Sequence, residues 1–233
     1  MRIGILACDI LKPELEYLTA DDPDIVMRKY LEYALHVNPA HMKEVILDEA
    51  KLFRGKVDVL FLGYAVCNSL ENITAEIRVP TVMLKGCDCI EAILGPDEYE
   101  AEKKICTGTW FNTPGWAMEG TQGLIKEMHL DALEGVEPEF IFSIIFGSYQ
   151  RVLFLDTGIG DEERYCELSK KFADELKLGH DRRKCNLSRI QNALAEAKGL
   201  AASLEGNDVQ TRSWHPGAPR VRMCGDTDRS PGR

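Results

Sequence analysis

Short, continuous apolar runs constrain the fold of this chain more than any other feature. The four clearest runs are Ile3 to Ala7, Val57 to Gly63, Pro80 to Leu84 and Arg151 to Asp156. Runs without polar alternation are typical of strands that are buried on both faces of a parallel sheet. Helical patterns lie between them, one opening at Asn38 and another at Asp161. We therefore predict an α/β fold, with these four strands in one mostly parallel sheet and helices on both faces.

The length of the chain, 233 residues, is enough for one domain with a full hydrophobic core. We predict a single α/β domain over residues 1–206 and a loosely ordered basic tail over residues 207–233. From Arg212 onward this tail carries five arginines against two aspartates and has no apolar period. Before the tail, we expect a helix pair from about Leu187 to Leu204.

The net charge of −10 argues against two classes of partner, because nucleic-acid backbones and anionic membrane surfaces would repel the protein. No apolar run approaches the ~20 residues that a membrane-spanning helix needs. The opening MRIGILAC has too short an apolar stretch for a signal peptide, so we expect a cytoplasmic protein whose cysteines are thiols or metal ligands. The usual short motifs of nucleotide hydrolysis, zinc ribbons and serine hydrolases are absent from the sequence.

Cysteines stand at three successive strand-to-helix junctions. Cys8 ends the first strand, Cys67 follows the second, and Cys87 and Cys89 follow the third, where Asp88 is a predicted helix cap. The carboxyl ends of parallel strands share one edge of a sheet, where such folds bind ligands. We therefore predict a metal site formed by Cys8, Cys67 and Cys89, with Cys87 as an uncertain fourth ligand. The alternative is packing, because free cysteine behaves as a small hydrophobic residue.

Packing or exposure accounts for three other cysteines, Cys166, Cys185 and Cys224, whereas Cys106 is ambiguous, because it opens an aromatic segment. The segment from Cys106 to Gly123 is rich in glycine, threonine and aromatic residues, and we predict a long loop with one short strand at Thr109 to Phe111. Trp110 and Trp116 are its candidate cofactor contacts, as a lid that excludes water from the cysteines. Alternatively, these rings close the core over the sheet edge.

Several short motifs together resemble one protein family. They are ILAC, HVNP, LGYAVCNSLENI, VPTVMLKGCDCIEAILG and GTWFNTPGW, and they run in order from Met1 to about Leu178. The chain resembles the prokaryotic domain-of-unknown-function family numbered 1638, whose members pair a YGxC-type motif with an HDC-type motif. The resemblance implies a three-cysteine site at Cys8, Cys67 and Cys89. The sequence departs from the family at Cys87, where members usually have histidine, and cysteine is the softer ligand.

Three classes of function are compatible with these features. The first is a metal- or iron–sulfur-binding protein of anaerobic metabolism, whose cofactor is an iron–sulfur cluster or zinc. The second, to which the resemblance points, is an enzyme or accessory protein linked to corrinoid or methyl transfer, with a small molecule or a corrinoid protein as its partner. The third is a non-catalytic interaction protein whose cysteines only pack. Three thiolate ligands leave a coordination position open, whereas four close it.

Overall fold

The computed structural model describes residues 1–67, 70–130, 135 and 137–212, with side chains described as far as residue 205. Within these residues the strands are β1 (Ile3–Cys8), β2 (Ile25–Leu31), β3 (Val59–Gly63), β4 (Thr81–Met83), β5 (Thr109–Asn112), β6 (Arg151–Asp156) and β7 (Gly179–Lys184). The helices are α1 (Lys12–Thr19), α2 (Pro39–Ala50), α3 (Ile73–Glu76), α4 (Cys89–Leu94), α5 (Pro96–Ile105), α6 (Pro114–Glu127), α7 (Pro138–Ile145), α8 (Glu162–Glu175) and α9 (Ser188–Arg212). Single 3-10 turns cover Asp9–Leu11, Tyr33–Val37 and Lys51–Phe53.

The protein has an α/β fold with parallel strands, as predicted, but the strands form two sheets. The first has the order β2-β1-β3-β4 and the second the order β5-β6-β7, and every pairing is parallel. The first three predicted strands are neighbours in the first sheet. The prediction that Arg151 to Asp156 joins them was wrong, because this run is the central strand of the second sheet.

The strands that the sequence did not reveal are edge strands with polar side chains. β7 reads GHDRRK and lacks the apolar run of a buried strand. Its arginines are held by ion pairs instead, with Arg182 2.9 Å from Asp156 and Arg183 2.5 Å from Glu102. β2 likewise lies at an edge and has buried residues only at its two ends. Charged side chains are common on edge strands, where they discourage further pairing.

Helices cover both faces of the first sheet. Leu15 of α1 and Ile190 of α9 pack on the face that contains Phe61, and Ile46 of α2 packs on the face that contains Leu62. The last helix therefore returns from the second sheet to complete the core of the first. In the second sheet, α6, α7 and α8 share one cluster with Val152.

Helix α4 lies between the two sheets and belongs to both cores. Its Ala92 and Ile93 pack in the core of the first sheet. Its Ile90 and Leu94 pack against residues of β6 in the second sheet. Because Cys89 is the first residue of this helix, the third cysteine junction lies where the two sheets come together.

The predicted caps at Asn38, Asp88 and Asp161 are all present, and each side chain accepts a hydrogen bond from a backbone N–H in the first turn of its helix, at 3.2, 2.8 and 3.1 Å respectively. The strand predicted at Thr109 to Phe111 is present as β5, but the loop predicted to continue to Gly123 was wrong, because Thr113 caps α6 and places Trp116 in its first turn. The predicted helix pair is the single helix α9.

Helix α9 continues to Arg212 and so includes the first six residues of the predicted tail, 207–212. Residues 213–233, which make up the rest of that tail, lie outside the described residues, as does Asn68, which the sequence predicts as the cap of a helix after Cys67. In the part of the chain that is described, no helix combines the length and the apolar character needed to cross a membrane.

Candidate thiol site

The three cysteine junctions meet at the carboxyl edge of the first sheet. Cys8 is the last residue of β1, and the neighbouring β3 is in register with it through the pair Ala7 and Gly63. The loop after β3 is hydrogen-bonded to the loop after β4, since the N–H of Cys67 donates to the carbonyl oxygen of Cys87 at 2.8 Å. The predicted convergence of the loops is therefore present.

The backbone of Cys67 has an unusual conformation for a residue with a side chain. Its φ is 43°, in the left-handed region that costs free energy for residues other than glycine. The hydrogen bond to Cys87 holds this conformation in place. The thiol of Cys67 consequently leaves the loop in a direction that an ordinary extended backbone would not allow.

The thiols of Cys8, Cys67 and Cys89 are close enough to affect one another electrostatically. Burial is the main reason that the pKa of Cys8 is raised to about 12, with smaller contributions from the charges of Asp9 and Cys67. Burial also raises the pKa of Cys89, with further contributions from Cys8, Asp88 and Cys67. The pKa of Cys67 is raised by burial and by the carboxylate of Asp88. At neutral pH the free protein therefore holds these side chains as protonated thiols.

Convergence of the loops does not by itself make a coordination sphere. Among the residues that the structure describes, no three histidine, cysteine, aspartate or glutamate side chains are grouped so that they could hold a metal ion. A metal bound at this edge would require the three thiols to rotate toward one another. It would also displace their protons, because the thiolate is the ligand.

Cys87 differs from the other three cysteines. It is exposed, whereas Cys8, Cys67 and Cys89 are partly buried. Its thiol donates to a carboxylate oxygen of Glu91 at 2.6 Å, and this hydrogen bond is the main reason that its pKa is raised to about 11. Its thiol is therefore already engaged, and a role as fourth ligand would require this contact to break.

The two tryptophans belong to the hydrophobic core of the second sheet, against which Cys8 also packs. Trp110 and Trp116 are edge to face with ring centroids 5.7 Å apart, in an aromatic cluster that includes Phe146 and Phe172. Cys8 packs against the core that contains these rings and also against the core on the α2 face of the first sheet. Cys67 packs against both cores of the first sheet, and Cys89 packs against one of them and against residues of β6. The rings therefore close the core of the second sheet, which Cys8 contacts from the end of β1.

His36, part of the HVNP motif, has both ring nitrogens occupied. Nδ1 lies 2.5 Å from the carbonyl oxygen of Tyr33, and Nε2 lies 2.6 Å from the carboxylate of Glu127 on α6. The hydrogen bond to Glu127 is the main reason that the pKa of His36 is raised. These contacts tie the turn after β2 to α6, so His36 is a structural residue here.

Three buried polar residues that the sequence did not single out lie at the carboxyl ends of strands or beside them. Tyr64 directly follows β3, and Asn112 ends β5. Glu14, on α1, is completely buried and accepts a hydrogen bond from Thr157, which directly follows β6, at 3.3 Å. The phenolic oxygen of Tyr64, both amide atoms of Asn112 and one carboxylate oxygen of Glu14 have no hydrogen-bond partner among the described residues.

Buried polar atoms without partners are rare in proteins, and each one calls for an explanation. The sequence carries a signal for two of these residues. Asn112 ends the strand sequence TWFN with an amide, and Tyr64 directly follows a strand in GYAVC. Glu14 offered no such signal, since a glutamate in the first turn of a helix is ordinary.

The family comparison covers most of this architecture. A family model described as "Protein of unknown function (DUF1638)" matches residues 30–194, from the end of β2 into α9. The chain belongs to this family. In this DUF1638 protein the match includes Cys67, Cys87 and Cys89 together with the whole second sheet, and it begins after Cys8. No curated protein and no solved structure matches the chain.

Proposed function

We propose that this protein is a cytoplasmic metal-binding protein of anaerobic metabolism, which holds a zinc ion or an iron–sulfur cluster through Cys8, Cys67 and Cys89. One observation carries the proposal: three separate strand-end junctions, all at the same edge of one sheet, each present a partly buried cysteine. Thiolates are the ligands that select zinc and iron–sulfur clusters.

The chemistry of the three thiols suits a metal site that assembles only when the metal binds. The free thiols are protonated and are not arranged as ligands, so the metal both deprotonates them and draws them together. Three thiolates leave one coordination position open to a substrate or a water molecule. If Cys87 were released from Glu91, its thiolate would occupy that fourth position and close the site.

Replacement of Cys67 by serine tests the proposal, because serine keeps the size of the side chain and removes the soft ligand. We expect anaerobically purified wild-type protein to bind zinc, or an iron–sulfur cluster after reconstitution. The Cys67→Ser variant should lose more than about 100-fold in zinc affinity and lose the cluster absorbance, since a direct ligand is missing. Metal analysis, ultraviolet-visible spectra and zinc competition with a chromophoric chelator measure these quantities.

The matched control is Cys166→Ser, which replaces a cysteine on α8 that is also partly buried. It should bind zinc and the cluster as the wild type does. Equal metal content in the wild type and in both variants would contradict the proposed ligands. If no preparation holds metal, the packing role of the cysteines stands.

A second candidate function, an enzyme or accessory protein linked to corrinoid or methyl transfer, is favoured by the buried amide of Asn112. Its unpartnered donor and acceptor at the end of β5 would suit a polar small molecule. We propose methylcobalamin and hydroxocobalamin as probes, with binding followed by absorbance. Asn112→Leu should weaken binding at least tenfold, while Asn192→Leu on the exposed side of α9 should leave it unchanged. Wild-type protein that binds neither corrinoid would contradict this candidate.

A further inference from the structure

The turn Tyr33–Val37 connects the two sheets through its contacts with α6. It follows β2, an edge strand of the first sheet, whereas α6 packs in the core of the second sheet. The hydroxyl of Tyr33 donates to the carbonyl oxygen of Gly123 at 3.2 Å, and its ring centroid lies 5.2 Å from that of Trp116. A further contact joins His36 to Glu127 at the end of the helix.

The contacts of His36 require a proton at each ring nitrogen. Nδ1 lies 2.5 Å from the carbonyl oxygen of Tyr33, and Nε2 lies 2.6 Å from Oε1 of Glu127. A backbone carbonyl and a carboxylate can only accept hydrogen bonds, and a neutral imidazole has a single N–H to donate. Both contacts are therefore satisfied only when the pair of His36 and Glu127 holds one proton more than a neutral imidazole and a carboxylate.

The carboxylate of Glu127 depends on this proton. Its side chain is only 8% exposed, and Oε2 has no hydrogen-bond partner among the described residues. Lys126, the neighbouring cation on α6, is already paired with Glu32 at 2.6 Å. Loss of the proton would leave Glu127 as a buried charge without a cation, which is strongly destabilising. In agreement, the pKa of His36 is raised, chiefly by the hydrogen bond to Glu127.

Other charged groups face the turn from the elements around it. Three are carboxylates and one is an amine: Glu32 before the turn, Asp9 after β1, and Glu119 and Lys126 on α6. The charges of Glu119 and Asp9 both act on Tyr33. Because acidic groups outnumber the single amine, the surroundings of the turn favour a protonated imidazole.

We propose that His36 and Glu127 form a proton-dependent latch, which holds the turn Tyr33–Val37 on α6 while the pair is protonated and releases it when the proton is lost. This inference is independent of the proposed metal-binding function. Release of the turn opens the core of the second sheet at Tyr33, in the cluster that Cys8 also contacts. The latch therefore makes the junction between the two sheets sensitive to pH.

The direction of the pH dependence follows from the raised pKa of His36. The docked turn binds the proton more tightly than the released turn does. The contribution of the latch to docking is therefore complete below about pH 6.5, the ordinary pKa of histidine, and is lost as the pH rises through the raised pKa of His36.

Replacement of Glu127 by glutamine separates the latch from ordinary packing. The amide of glutamine can donate to Nε2 of a neutral His36 while Nδ1–H still donates to Tyr33, so the neutral ring satisfies both contacts. The turn should then stay docked as the pH rises. Glu44→Gln is the matched control, because it changes the carboxylate of an exposed pair, His41 and Glu44, whose atoms are 3.9 Å apart.

Two measurements test the latch between about pH 6 and about pH 9, the range in which a histidine with a raised pKa loses its proton. Hydrogen–deuterium exchange of residues 33–38, corrected for the intrinsic rate at each pH, reports release of the turn. An NMR titration of the ring signals of His36 in the wild-type protein gives its pKa directly, and it does not depend on the folding of any variant.

We expect the protection of these amides to fall at least about threefold across this range in the wild type and in Glu44→Gln, and to stay nearly constant in Glu127→Gln. His36 should titrate above 6.5 in the wild type and closer to 6.5 in Glu127→Gln. An equal fall in protection in the wild type and in Glu127→Gln would overturn the inference. So would constant protection in the wild type, or a pKa of His36 at or below 6.5.

Discussion

Replacing Gly115 by alanine is expected to lower the free energy of unfolding by about 3 kcal/mol. Gly115 lies in the first turn of α6, directly against the backbone of Ile10 in the turn that follows β1. A Cβ atom at this position would lie 2.8 Å from the carbonyl carbon of Ile10 and would overlap its carbonyl oxygen. Because the obstacle is backbone, no side chain can rotate to make room, and the part of α6 before the non-helical backbone of Gly120 must move away from Ile10.

Urea denaturation of Gly115→Ala measures this loss. Gly199→Ala is the control, because Gly199 lies in α9 and a Cβ there would meet nothing within 4 Å. This control should stabilise the protein by up to about 1 kcal/mol, since alanine is the better helix former. A Gly115→Ala variant as stable as the wild type would show that α6 does not rest on the β1 junction.

Replacing Glu14 by glutamine is expected to raise the free energy of unfolding by about 3 kcal/mol at pH 8. Glu14 is completely buried between α1 and the residue after β6. Burial raises its pKa from the ordinary 4.5 to about 7. Since each pKa unit corresponds to about 1.4 kcal/mol, ionised Glu14 destabilises the folded protein by this amount. Glutamine keeps the acceptor for Thr157 and carries no charge.

The direction of the pH dependence follows from the raised pKa. Between about pH 4.5 and 7 the folded protein binds the Glu14 proton more tightly than the unfolded chain does. The contribution of the protonated side chain to stability is therefore complete below about pH 4.5 and is lost as the pH rises toward 7. We therefore expect urea denaturation to show that, as the pH rises across this range, the free energy of unfolding of the wild type decreases relative to that of Glu14→Gln.

Glu44→Gln on α2 is the control, because the side chain of Glu44 is 79% exposed. Its effect on the free energy of unfolding should stay within about 0.5 kcal/mol at every pH. Parallel stability curves for the wild type and Glu14→Gln would contradict the raised pKa of Glu14.

The convergence of the loops that carry Cys8, Cys67 and Cys89 was predictable because it depends on local signals. Apolar runs mark strands that are buried on both faces, and a cysteine directly after such a run must lie at the carboxyl edge of the sheet. The direction of each thiol was not predictable. The positive φ of Cys67 and the contact between Cys87 and Glu91 arise from loop geometry that no periodicity encodes.

The sequence by itself determined the α/β class, the first three neighbouring strands and the caps of three helices. Each depends on side-chain chemistry within a few residues, which is the range over which periodicity and capping act.

Only the tertiary structure decided the division into two sheets, the placement of α4 between them and the burial of Tyr64, Glu14 and Asn112. The choice of pairing partner is non-local, because β6 can complete a sheet with any parallel strand that the chain brings beside it. The pairing of the strands could not be predicted from the sequence. The edge strands β2 and β7 satisfy their polar side chains by ion pairs or solvent, so they lack the apolar pattern of a buried strand.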